Sequence, residues 1–177
     1  MPNDTRDEIV DIYKCLYKGI FSYCAYRLYR KDLAEDAAAA VFLRLVDQYP
    51  ALKGKSRQDI KNWLYGTARN VAAGFLRDAR HSKTIAEDLT RTTRSSSAED
   101  SGRDVRMDWP VVHAAIGKLN ERLQDIIFLR FFEGLETFAI AEVLGMKHAT
   151  VRTQLSRAIK KLGRQLGKAF DEQQQET

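Results

Sequence analysis

Apolar residues recur along most of this chain at steps of three and four, the spacing that gathers them on one face of an α-helix. Ile9, Ile12, Tyr13, Leu16, Ile20, Cys24 and Leu28 form the first stripe and predict a helix from about Asp7 to Tyr29, with Tyr17, Phe21 and Tyr23 adding aromatic bulk. After Arg30, Asp32 is placed to cap a second helix whose inward face is Leu33, Ala37, Val41, Phe42 and Leu45. Pro50 and Gly54 are expected to break the chain there. Ser56 and Asp59 have the spacing of a capping pair and open a third helix through about Arg80, with Ile60, Trp63, Leu64, Thr67, Ala68, Val71 and Leu76 turned inward. Gly66 and Gly74 each cost that helix about 1 kcal/mol relative to alanine, which packing is expected to offset.

From His81 to Asp108 the pattern fails. TRTTRSSSAEDSGRD holds almost no large apolar residue, so it cannot bury enough surface to offset its ordering entropy and reads as a flexible linker. Beyond it, Trp109 and Pro110 open a helix to about Leu119, Asn120 caps the next through Phe132, and Gly134 ends that one. The segment LETFAIAEVLGMKHATVRTQLSRAIKKL then reads as a helix-turn-helix, its turn at Gly145. No run of alternating β-branched residues interrupts the series. The expected fold is therefore all-α, two small helical domains over residues 1–80 and 109–177 joined by the linker 81–108.

The last helix carries the strongest chemical signal. Between Val143 and Asp171 the chain has seven basic residues and no acid: Lys147, Arg152, Arg157, Lys160, Lys161, Arg164 and Lys168. At about 100° per residue, Val151, Leu155, Ala158, Ile159, Leu162 and Leu166 fall on one stripe, while Thr153, Ser156, Arg157, Lys160 and Arg164 fall opposite. A cationic, hydroxyl-bearing face suits the major groove, where Arg and Lys meet phosphates and guanine edges. Thr150 reads as a first-turn capping residue, and Val151 and Leu155 as core.

Composition narrows the class. At 177 residues, 44% apolar and 30% charged, the chain suits a soluble globular protein of one ordinary domain or two small ones. No stretch approaches a membrane span and MPNDTRDE is no secretory signal, so no membrane insertion and a cytoplasmic location are expected. Residues 1–80 hold 14 basic and 10 acidic side chains, residues 81–108 hold 5 and 6, and residues 109–177 hold 10 and 8. Two basic ends around a neutral middle suit a long polyanion. Cys15 and Cys24, nine residues apart on one helix, lie roughly 13 Å apart along its axis, too far for a disulfide, and both read as small buried residues. His81, His113 and His148 have no metal-ligand spacing, and Glu35 and Asp36 face different directions. Neither a cofactor nor an enzymatic site is expected.

These motifs together resemble the bacterial sigma-70 superfamily, in its small two-domain extracytoplasmic-function form. LNERLQDIIFLRFFEGL, IAEVLGM and TVRTQLSRAIKKL are similar to region 4; LAEDAAAAVFLRLV is similar to region 2.2, and NWLYGTARNVAAGFLRDAR to regions 2.3 and 2.4. A helix-turn-helix alone is shared by many regulators, whereas WLYGTARN upstream of the region 4 pattern is specific.

The resemblance implies a sigma factor that binds core RNA polymerase, through the clamp of the largest subunit and the flap of the second largest, directs it to promoter DNA and promotes opening. It also implies an anti-sigma protein as partner. By position, Arg152, Thr153, Ser156 and Arg157 match residues that read the minus 35 element, with Lys160 and Lys161 on phosphates. Lys55, Ser56, Lys61, Asn62, Arg69, Asn70, Arg77 and Arg80 are the region 2 candidates for the minus 10 element, where flipped bases need polar or aromatic pockets and a cationic track. Trp63 reads as core. Asp36, Phe42 and Arg44 are the polymerase-facing candidates. The chain departs from the family pattern at Ala39 and Ala40, where a Gln-Glu step is usual, and at Gly74, where Asp is usual. It is also about two residues longer between Gly54 and Trp63. The competing reading is a conventional helix-turn-helix regulator that binds duplex DNA as a dimer on half-sites a helical turn apart.

Overall fold

The computed structural model describes residues 3–85 and 109–175, with side chains over 5–78 and 112–167. Among these residues there is no strand: α1 spans Asn3–Leu28, α2 Lys31–Leu52, α3 Arg57–Ile85, α4 Trp109–Gly117, α5 Glu121–Ile127, α6 Thr137–Leu144 and α7 His148–Gln175. The chain divides into two compact units, 1–98 and 99–177. Residues 86–108, the larger part of the expected linker, lie outside the described residues.

In the first unit each of α1, α2 and α3 packs on the other two. Ala34, Ala37 and Ala38 are fully buried, and their small side chains let α2 approach its neighbours closely. Around them sit Ile20, Cys24, Val41, Leu45 and Leu64, with the Tyr23 and Tyr65 rings edge to face at 6.0 Å. Tyr49 donates its hydroxyl proton to Glu8, and Lys53 Nζ donates to Thr5 Oγ1 at 3.3 Å, so the end of α2 is tied to the start of α1.

Several sequence expectations change here. The N-cap of α2 is Arg30 rather than Asp32, which lies in the first helical turn and pairs with the Arg30 guanidinium. That hydrogen bond holds the Asp32 carboxyl below its ordinary value. Pro50 does not break the chain: α2 runs on to Leu52, because one lost backbone bond near a helix end is tolerated where Tyr49 and Leu52 are buried. Gly54, at φ +85°, makes the turn. The Ser56 and Asp59 pair caps α3 reciprocally, at 3.1 and 3.3 Å. That helix continues to Ile85, beyond the expected Arg80, since HSKTI contains no breaker. A side chain at Gly74 would meet nothing within 4 Å, so no close approach compensates that glycine. Cys15 is exposed rather than buried, its sulfur 3.6 Å from Arg57 Nη2; Cys24 is buried, which pushes its thiol up to about 12.

In the second unit α4, α5 and α6 all pack on α7. Asn120 Oδ1 accepts the Leu123 N–H at 2.9 Å, the expected cap. Buried Gln124 donates to the Leu119 carbonyl at 2.8 Å and ties α5 to the end of α4. The helix read as continuous to Phe132 changes at Phe128–Phe132 into a π-helical turn, which leaves Phe131 and Phe132 exposed. Ile126, Leu129, Leu135, Ile140, Val151 and Ala158 form the core. Gly145, left-handed at φ +61°, ends α6 as expected. Ile159, placed on the buried stripe of α7 by its spacing, is exposed; Leu155 is half-buried.

Candidate nucleic-acid interface

The outer face of α7 collects five of the six residues singled out there. Arg152, Thr153, Ser156, Arg157 and Lys160 are exposed and, with Ala149, line one open depression. From Arg152 to Lys160 the row runs about 12 Å along the helix axis, close to the width of the major groove of B-DNA. Among the described residues no ion pair holds Arg152, Arg157 or Lys160, so all three charges face outward uncompensated. The Thr153 hydroxyl donates to the Ala149 carbonyl at 3.0 Å, which fixes its oxygen as an acceptor on that surface. Lys161 is separate: its Nζ donates to the Lys118 carbonyl at 3.4 Å, at the end of α4. It neutralises that helix C-terminus instead of extending the row.

The entry to this helix has its own fixture. The Thr137 hydroxyl and His148 Nε2, on the first residues of α6 and α7, share a hydrogen bond of 2.8 Å, and the Phe138 ring stands edge-on to the imidazole at 6.0 Å.

On α3 the candidates separate. Arg69, Asn70 and Arg77 occupy one sector of about 100°; Asn70 and Arg77 are exposed and Arg69 half-buried. Lys55 is exposed at the turn before the helix, and half-buried Lys61 lies 6.0 Å above the Tyr65 ring. Ser56 is exposed, with its hydroxyl engaged in capping. Asn62 is corrected: it is only 8% exposed and accepts from Gln58 Nε2 at 2.8 Å, so it is part of the packing rather than of the cationic surface. Trp63 is half-buried, on the same stripe as Asn70 and Arg77, and so stands at the margin of that surface rather than wholly in the core. The Arg80 side chain lies outside those described.

On α2, Asp36 and Arg44 are exposed, whereas Phe42 is corrected to the interior. It is 7% exposed and packs edge-on to Tyr13 at 4.9 Å and near Tyr17 at 6.0 Å. Burial, with Tyr13 and Glu35 close by, raises the Tyr17 phenol. The apolar residue that faces outward is Leu43, 66% exposed, seven residues from Asp36 and therefore on its stripe. That spacing was available in the sequence, but Leu43 and Phe42 are adjacent and equally apolar, and only the position of α1 separates them.

Comparison with known proteins adds the following. The model of Sigma-70 region 2 matches residues 12–82, and that of Sigma-70 region 4 matches residues 111–162. The chain is 29% identical over 172 residues to RNA polymerase sigma factor YlaC of Bacillus subtilis, covering 95% of this chain and 97% of the relative. It is 30% identical over 149 residues to ECF RNA polymerase sigma factor BldN of Streptomyces coelicolor, covering 83% of this chain and 56% of that protein. The sigma factor RpoE of Bartonella quintana, solved in complex with the anti-sigma factor NepR, superposes with a TM-score of 0.73 at 18% identity, over 93% of this chain and 97% of that one.

Proposed function

This chain belongs to the sigma-70 family, and from that premise we propose that it is an initiation subunit of the extracytoplasmic-function type, which binds core RNA polymerase, directs it to promoters and promotes DNA opening. The observation that carries the reading is the order of the two matches along one chain, region 2 on the unit of α1–α3 and region 4 on the unit of α4–α7. A dimeric helix-turn-helix regulator accounts for α6 and α7 and leaves the region 2 match without a role.

In this reading α7 enters the major groove of the minus 35 element. Arg152 and Arg157 take base edges or phosphates, Thr153 and Ser156 supply short polar contacts, and Lys160 holds phosphate. The sector of Arg69, Asn70 and Arg77, with Trp63 at its margin, engages the minus 10 element as it opens. Opening costs a few kcal/mol per flipped base, which binding energy can supply. Exposed Asp36, Leu43 and Arg44 on α2 face the polymerase, which carries out the nucleotide chemistry; the chain itself is not an enzyme. Among the described residues no helix is long and apolar enough to cross a membrane, and work on chromosomal promoters places the chain in the cytoplasm. Its inhibitor is an anti-sigma protein, to be sought by pull-down from the host.

The test is run-off transcription from a mixed set of promoter fragments with core polymerase, with and without the purified chain. Promoter-specific transcripts that need both components are expected; none above core alone would overturn the reading.

A further inference from the structure

We propose that Thr137 and His148 are positioning residues for promoter recognition, fixing the rotation of α7 about its own axis so that its basic row meets the base edges in register. This rests on the reading of α7 as the helix that enters the duplex. Buried Ile140, Val151 and Ala158 and the packing of α4, α5 and α6 hold α7 in its unit, and apolar contact has no direction. Close packing and the Lys161 bond to the Lys118 carbonyl limit the rotation of α7 farther along, and its first turn is left to directional contacts of its own. A turn of about 20° carries a side chain about 6 Å from the axis through about 2 Å, against a tolerance near 0.5 Å for a productive site.

The hydrogen bond between Thr137 Oγ1 and His148 Nε2 is directional and joins the first residues of the two helices. It lies at the rim, where a restraint has leverage that core contacts lack. The Phe138 ring bounds the imidazole on one side. Four residues on from His148, about 40° round the helix, comes Arg152, so the restraint acts at the head of the row itself. The first turn of α7 has no acidic residue to orient it in another way.

The test uses the full chain with core polymerase on two duplex templates, one with an intact and one with a scrambled upstream element, and reads the ratio of open complexes. Thr137→Val and His148→Ala should each lower that ratio about fivefold, as for loss of one net hydrogen bond. The double variant should lose no more than either alone, because they break the same bond. Thr137→Ser and His148→Gln, which keep a hydroxyl and a side-chain nitrogen, should restore the ratio, while thermal unfolding of the four single variants shifts by no more than the few degrees that one lost hydrogen bond explains.

Additive losses, or no rescue by the serine and glutamine variants, would overturn the proposal and make His148 a direct DNA contact or a mere fold element. Arg157→Ala separates the two levels of failure. If it leaves the ratio intact, the reading of α7 itself is wrong. If it lowers the ratio while Thr137→Val does not, only the positioning role is wrong.

Discussion

The unit of α1–α3 and the unit of α4–α7 carry similar residue types toward one polyanion, yet they display them differently. On α7 the cations form a row, without an ion pair among the described residues, on the far side of a narrow buried stripe. On α3 the polar and charged residues are threaded through a helix packed against two others. Asn62 is drawn into the interior, Lys61 lies over a tyrosine, Ser56 is spent on capping, and Arg69, Asn70 and Arg77 are left to face outward with different exposures. A helix that buries one narrow face advertises its function in its sequence, while a helix hemmed in on two sides mixes structural and functional polar residues.

Substitutions that should act on only one of the two displays can break or sharpen this contrast. The largest expected effect is structural. Phe42→Ala removes a buried ring packed against Tyr13 and Tyr17 and should cost about 3 kcal/mol of unfolding free energy, read by denaturant titration. Its neighbour Leu43→Ala should leave stability within about 0.5 kcal/mol while weakening the complex with core polymerase by about tenfold in a competition assay. If the two effects exchange, the placement of α2 against α1 is wrong.

Lys160→Ala should weaken duplex binding alike on all sequences and lower the slope of log affinity against log salt by about 1, whereas Lys161→Ala, engaged at the Lys118 carbonyl, should leave that slope nearly unchanged. Gly74→Ala should stabilise the first unit by about 0.5–1 kcal/mol, since the methyl group enters open space on a helix, and raise its midpoint by a few degrees. The smallest effect concerns Asp32. Its folded carboxyl is held below the usual value, so its contribution is present above about pH 4 and is lost as pH falls through the lowered folded value. Asp32→Asn should therefore lower stability slightly at neutral pH and make no difference once pH has fallen through the lowered folded value, so the acid side of the curve flattens.

Local chemistry made much of the fold legible in advance. The Ser56 and Asp59 pair, the Asn120 cap and the turn at Gly145 each rest on a side chain or backbone freedom that acts within a few residues, and each sits where its neighbours alone would put it. What escaped depended on partners distant in sequence. Pro50 continues a helix because Tyr49 and Leu52 are anchored elsewhere, and Tyr49 reaches Glu8 across 41 positions. Phe42 and Leu43 look alike until α1 lies on one of them. Ile159 has the spacing of a core residue but is exposed among the described residues. Within the candidate site the same rule holds: the row on α7 needed only helical phase, and Lys161 fell outside it because of a carbonyl 43 residues away.

The central claim is that the two units divide promoter recognition, with α7 reading the upstream element and α3 serving the element that opens. Its most direct measurement is run-off transcription by wild-type and Arg157→Ala holoenzymes on promoter pools randomised separately in each element, with the transcribed sequences counted. The division expects Arg157→Ala to erase preference in the upstream pool, a loss of about tenfold or more, while preference in the minus 10 pool stays as in the wild type. Equal loss in both pools, or an unchanged upstream preference, would contradict it.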